Sequence, residues 1–357
     1  MRLAHGESCK GPALPGWPGL RSTVSGLSFV LAVALGGCGA YPGDKGVIHL
    51  RDHAYPTGID HWPARKAIVF SDFGGSIYSI REDGTRAAKL IDVRDSDCTR
   101  VTRVRVDEAR NRLWVMGASG ICVYDLASLR LAKQLPLREM VHNRLANPLT
   151  DIALDSQGNA YAIDTGIDPI VYRIESSTFA VAVWNRATPS GDAGVYSPRH
   201  FPLNAIAVTP AGGHVMYVDA YAGTLHVLDI ATRQDSKVSM PEPLYAVNAL
   251  VAAPGAAGTG GIDLYAVSAG NNSITVVGVD SDLKTARTLA YAIRHLDHPL
   301  AGTWVRGTLF VTNSQLLRHP EVTGDGETPS PFSIARLSAR YFADQAANPF
   351  LGAVLGP

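Results

Sequence analysis

The 357-residue chain lacks a hydrophobic run long enough to cross a membrane as a helix. Its longest apolar stretch, Leu27 to Gly37, reads LSFVLAVALGG, well short of the roughly 20 residues a spanning helix needs. Charge of one sign is also missing. Lys and Arg total 32 and Asp and Glu total 32, which excludes the broad basic footprint of a nucleic-acid binder. Lysine is scarce: 7 of the 32 basic residues are Lys and 25 are Arg, and the arginines are scattered. No long segment carries helical periodicity. Cysteine is limited to four residues, Cys9, Cys38, Cys98 and Cys122, too few for a disulfide-stapled miniprotein. What is plentiful is turn chemistry, with 35 Gly and 22 Pro, set in a chain that is 46% hydrophobic and 18% charged. That composition belongs to a globular domain rich in short strands.

The N-terminus reads as an address. Arg21 precedes the short apolar run, which ends Leu35-Gly36-Gly37-Cys38. A basic region, a short apolar region and small residues define a secretory signal. The Leu-Gly-Gly-Cys ending resembles the lipobox of bacterial lipoproteins, in which cleavage precedes the Cys and its thiol carries diacylglycerol. The resemblance implies a signal peptide over 1–37, lipidation at Cys38 and a flexible tether over 38–46. Loss of Arg2, Lys10, Arg21 and Glu7 would leave 29 basic against 31 acidic residues, a net charge of −2. Gly39 follows the Cys, and the absence of Asp there points to the periplasmic face of an outer membrane. The lipid anchor is then the only membrane contact. Cys98 and Cys122 remain as an even pair in an oxidising compartment, which predicts a disulfide. The loop closed is about 25 residues. Cys98 precedes one strand and Cys122 lies two strands away, about 9.6 Å across the ladder, so the bond requires the connecting loops to bend inward.

The body repeats itself. Segments starting at Pro56, Thr102, Thr150, Asn204 and Asn248, with a degenerate sixth at Ala301 and Pro331, share one pattern. Each has short apolar strands, a second strand ending in Asp, Ser or Asn, and Gly-containing turns. Taking Ile59, Val104, Ile152, Ile206 and Leu250 as equivalent gives steps of 45, 48, 54 and 44 residues. Four strands per 40–50 residues is the signature of a propeller blade. The predicted fold is an all-β, six-bladed β-propeller of four-stranded blades over 47–340, with a C-terminal tail at 341–357. The sixth repeat is short of a strand. Residues 47–51, VIHLR, are predicted to supply it and close the ring.

In such a blade the connections between blades and the turns between second and third strands share one face. The long connections, 138–149, 186–203 and 293–300, all fall there, and long loops on a rigid scaffold are where binding resides. Each inner strand opens on an uncharged hydrogen-bonding residue, giving a candidate ligand ring of Thr57, Thr102, Thr150, Asn204 and Asn248. A second tier is Asp72, Asp164, Asp219 and Asn313 at the second-strand ends; these residues also suit Asx-turn caps. His200 sits in a long connection at the expected funnel mouth. Arg103 and Arg105 share one side of a strand, where Arg105 can pair with Asp107 or a neighbouring blade and an anion role is open. His295 and His298 lie three apart on a Pro-bounded loop rather than a helix face. No Gly-x-Ser-x-Gly or His-Glu-x-x-His motif is present.

PTGID, DIALDSQGNAYAIDTG and NAIAVTPAGGHVMYVDAYAGTLHVLDIAT resemble the senescence-marker-protein/gluconolactonase-like propellers over roughly 48–340. The stretch from Cys98 to Leu131 also resembles the yellow/royal-jelly propellers. The first resemblance implies one divalent cation in the funnel, held by a Glu, two Asn and an Asp. Residue by residue those positions are Thr57, Thr150, Asn204 and Asn248, so only one Asn is kept and both carboxylates are absent. Hard cations favour carboxylate oxygens, so the expectation is no metal or other cofactor. The leading expectation is a non-catalytic propeller binding a small polar molecule or an envelope protein. The alternatives are a divergent metal-dependent lactonase or esterase-type hydrolase, and a scaffold lipoprotein of an envelope complex.

Overall fold

The computed structural model describes residues 46–50, 55–94, 96, 98–117, 120–137, 149–165, 169–186, 203–220, 222–255, 261–323 and 331–347. All of them fall in one unit, Ala40–Pro357. The signal segment, Cys38 and His200 lie outside the described residues, as do most of the connections at 138–149 and 186–203.

Six sheets of four antiparallel strands form a six-bladed propeller. The inner strands are Pro56–Trp62, Arg103–Asp107, Leu149–Leu154, Leu203–Val208, Ala249–Pro254 and Pro299–Val305, heading blades 1 to 6. In blades 1 to 5 the strands follow outward in chain order. Blade 6 takes its outermost strand from the other end of the chain. Gly46–His49 pairs with Ser333–Ser338, with Val47 opposite Ala335. The predicted ring closure therefore forms, one residue earlier than the sequence suggested and ending at His49.

The reason these segments are strands of this kind lies in their burial. A blade is covered on both faces by its neighbours, so its second strand has no solvent side. Ala160–Asp164 (AYAID) is buried at every position, which explains a continuous apolar run where an open sheet would alternate. The outer strands face water and read polar, as in Leu131–Leu135 (LAKQL). The core is thus a set of apolar layers between blades. Trp114 and Met116 of blade 2 meet Ile152, Ala162 and Tyr172 of blade 3 in one such layer. Each fully buried side chain of this size contributes about 1.5–3 kcal/mol.

Two glycines permit close approaches. A Cβ on Gly58 would stand 2.6 Å from the Val104 backbone nitrogen, and one on Gly117 2.5 Å from the Cys98 backbone. At the second of these points the chain is stapled. Cys98 and Cys122 form a disulfide with Cα atoms 6.1 Å apart, and both residues are fully buried. The inward bend required by the ladder spacing is supplied by the connection that carries Cys98.

The C-terminal boundary differs from expectation. Residues 341–347 are not tail but part of a helix, Ala339–Ala347. Tyr341 and Phe342 enter the apolar layer between blades 5 and 6, where Phe342 lies 5.0 Å from the Tyr265 ring. A two-residue aromatic pair is too short a signal to show helical periodicity.

Candidate functional site

The five ring positions do occupy equivalent places at the heads of inner strands, yet their side chains do different things. The Thr57 hydroxyl is fully buried and donates to the Val101 carbonyl at 2.6 Å, with the Ser71 hydroxyl 2.9 Å away. Thr102 repeats this tie one blade on, 3.3 Å from the Leu149 carbonyl. Val101 and Leu149 each precede the next ring residue, so the two threonines fasten one blade to the next. The Asn248 carboxamide oxygen accepts from the Ala269 N–H at 2.8 Å. Thr150 breaks the series. Its hydroxyl is buried and has no partner among the described residues. Asn204 beside it is half-buried, and its side chain makes no blade-to-blade tie among the described residues.

Between these positions lies a charged cluster that joins Arg103 and Arg105, both noted in the sequence, to Asp151, which the repeats had not singled out. Arg103 on blade 2 and Asp151 on blade 3 are bonded at 2.9 Å, with side-chain exposures of 3% and 0%. The Arg103 guanidinium continues across the axis. It donates to the Thr102 carbonyl at 2.8 Å and to the Asn248 carbonyl of blade 5 at 2.5 Å. Asp151 accepts further from Arg105 at 3.3 Å, from its neighbour Ile152 N–H at 2.9 Å and from Ile206 N–H of blade 4 at 3.1 Å. Burial lowers the guanidinium's affinity for its proton and Arg105 lowers it further, while Asp151 offsets both in part. Farther along the inner strands Asp60 accepts from Val106 N–H at 2.7 Å and from the Thr303 hydroxyl at 3.1 Å. Arg105 therefore pairs with a neighbouring blade and not with Asp107, whose carboxylate is held by Arg110 at 3.3 Å.

The cluster is legible in retrospect. Arg103 and Asp151 precede the equivalent Val104 and Ile152, so opposite charges occupy one repeat position on adjacent blades. The other four occupants are Gly58, Ala205, Ala249 and Ala301. Their small size leaves the axis free for a guanidinium to cross.

The second tier caps turns. Asp72 accepts from Ser76 N–H at 2.8 Å and from the Tyr78 hydroxyl at 3.2 Å. Asp219 accepts from Ala222 N–H at 3.0 Å, and Asp164 from the Tyr172 hydroxyl at 3.3 Å. Asn313 accepts from Asp297 N–H at 3.0 Å and donates to the His295 carbonyl at 2.8 Å. Asp72, Asp219 and Asn313 thereby fix the turns and the connection that share this face. The connection at 293–300 does lie on that face, locked by Arg318 to Asp297 at 3.0 Å. Among the described residues no group of three His, Cys, Asp or Glu side chains is placed to hold a metal.

The donor set does not suit a divalent cation. Thr57 and Asn248 stand where the resembling family carries its carboxylates; both are neutral, and their oxygens already serve the scaffold. Nothing among Thr57, Thr150, Asn204 and Asn248 offsets the desolvation of a doubly charged ion.

The molecule is thus a six-bladed β-propeller with a buried ion pair between adjacent blades, whose guanidinium reaches a carbonyl of the opposite blade. No family model and no curated protein matches the chain. Solved structures do share the fold. A calcium-binding regucalcin from Agrobacterium tumefaciens is similar at TM-score 0.56 and 12% identity, over 82% of this chain and 93% of that one. A "putative gluconolactonase" gives 0.55 and 14%, over 84% and 94%. The major allergen Mala s 1 of Malassezia sympodialis gives 0.58 and 12%, over 81% and 94%. At these identities the likeness is one of fold.

Proposed function

We propose that this protein is an exported, lipid-anchored propeller that binds a small polar molecule at its funnel face without hydrolysing it. The observation that carries this reading is the state of Thr57 and Asn248. A hydrolase of the lactonase type needs carboxylates there, as metal ligands or base, and neither residue is ionisable or free. What remains available at the blade heads is neutral hydrogen bonding from Thr150 and Asn204, beside a buried cation. That set selects a polar ligand and orients it. The anchor at Cys38 would hold the binding face near the periplasmic side of an outer membrane. An envelope protein is the alternative occupant of the same face, and a scaffold role would use the blade sides instead.

The second reading, a lactonase-like hydrolase, is favoured by the fold shared with the gluconolactonase-type structure. One preparation of the full-length protein separates the two. Metal content and lactone hydrolysis are measured on the same sample. A binding module shows no stoichiometric metal and no turnover above buffer. A stoichiometric cation accompanied by turnover would establish the hydrolase.

A further inference from the structure

We propose that the floor of the funnel is a subsite for a carboxylate, with Arg103 and Thr150 as its recognition groups and a small hydroxy-carboxylate as the class of ligand. The inference rests on the funnel-binding reading and names the chemistry of that site.

A guanidinium has five N–H donors. Arg103 uses three, toward Asp151, Thr102 and Asn248. The two left over are one on each terminal nitrogen, and a carboxylate has two oxygens that can accept them. Leaving donors of a buried cation unmatched is costly, and a structure normally avoids it. The second observation is independent. The hydroxyls of Thr57 and Thr102 reach the next blade's carbonyl, whereas that of Thr150, adjacent in sequence to Asp151, is buried with no partner among the described residues. Unmatched donors of two kinds therefore lie at the heads of neighbouring blades, 2 and 3. Asn204 heads blade 4 beside them and offers an amide for a ligand hydroxyl.

The charges at the axis balance, Arg103 and Arg105 against Asp151 and Asp60, so the preference for an anion rests on the unmatched guanidinium donors. Arg103 and Arg105 share the single carboxylate of Asp151, which is itself engaged with four donors. Asp60, the other acidic group of the axis, lies two residues beyond Gly58 along its inner strand, and it is occupied by Val106, His61 and Thr303. In so dry a setting a charge-assisted hydrogen bond is strong. A neutral polyol would leave the guanidinium's free donors poorly matched.

The test is calorimetric titration of the full-length protein with three matched pairs: glycolate against ethylene glycol, lactate against propylene glycol, and gluconate against sorbitol. Inorganic phosphate is a seventh probe. At least one carboxylate is expected to bind at least about tenfold tighter than its alcohol. Arg103 variants are expected to perturb folding, so the diagnostic change is Thr150→Val, which removes a hydroxyl the fold does not use. It is expected to weaken the carboxylate about tenfold and to leave the melting midpoint of the free protein at or above wild type. If an alcohol binds as tightly as its acid and Thr150→Val weakens both equally, funnel binding stands and the carboxylate subsite is overturned. Phosphate binding more tightly than every carboxylate also overturns it. If none of the seven binds, the carboxylate subsite falls, and with it the small-molecule reading of the funnel.

Discussion

Arg103 and Asp151, at one repeat position on adjacent blades, join blades 2, 3, 4 and 5 through a single ion pair whose outward bonds end on Ile206 and Asn248. A ring of blades has no central strand to hold it, and this pair supplies a tie across the axis. Removing one partner strands the other in a dry site, which costs about 3–5 kcal/mol. Asp151→Ala and Arg103→Ala should each lower unfolding free energy by that order. The double replacement Arg103→Ala with Asp151→Ala should cost much less than the sum. Denaturant melts of the four proteins measure the coupling directly. Additive costs would mean the two residues do not act as a pair.

The disulfide should matter through the unfolded chain. Its partners are separated by 24 residues, and closing a loop of that size contributes roughly 3 kcal/mol. Guanidinium unfolding with and without reductant, or of the Cys98→Ala, Cys122→Ala double variant, should shift by that amount. Two free thiols in exported protein would contradict the pairing.

Gly58→Ala tests the close approach between blades 1 and 2. The new methyl would meet backbone at 2.6 to 2.7 Å, and backbone cannot swing aside as a side chain can. A loss of about 1–3 kcal/mol is expected, against the few tenths typical of exposed Gly213, where a Cβ meets nothing within 4 Å. Equal effects at the two positions would show that the blades have room to part.

Acid sensitivity has a partly buried source on blade 4. Burial raises the Asp235 carboxyl, but bonds from His226, Tyr217 and Asn185 outweigh it and leave it below the ordinary carboxylate range. The Tyr217 hydroxyl lies at 2.5 Å. A depressed folded-state value stabilises the fold above about pH 4 and loses that contribution as pH falls through the folded value. Asp235→Asn should therefore be less stable than wild type near neutrality and close to it once pH falls below the folded value. A constant gap between the two melting curves would rule out this linkage.

Cys38→Ser should release the protein from the membrane fraction, since each lipid chain contributes about 0.8 kcal/mol per buried CH₂. Uptake of labelled lipid by wild type alone is the accompanying readout. A Cys38→Ser protein that still sediments with membranes contradicts the anchor.

The blades were legible because two-sided burial forces continuous apolar runs such as AYAID, and because turns recur at a fixed period. The closing strand at 46–49 was legible because the sixth repeat was one strand short. The ring register was legible too, but not what its side chains do. Whether a threonine such as Thr57 faces a funnel or fastens the next blade depends on how closely the blades approach, and that is fixed by Gly58 and the ring as a whole. Arg105 was expected at Asp107 or on a neighbouring blade. Its true partner is 46 residues away on blade 3, while Asp107 serves Arg110 in a local turn. Nearness in sequence misleads wherever blades meet side by side.

The account turns on the proposal that Thr57, Thr150, Asn204 and Asn248 hold no cation, and calorimetric titration of the full-length protein with Ca²⁺ and with Zn²⁺ tests it most directly. The expected result is no saturable binding of either ion below the millimolar range, and the same result for Asn204→Ala. Stoichiometric, micromolar binding that Asn204→Ala abolishes would place a cation among these residues and contradict the reading of a metal-free binding module.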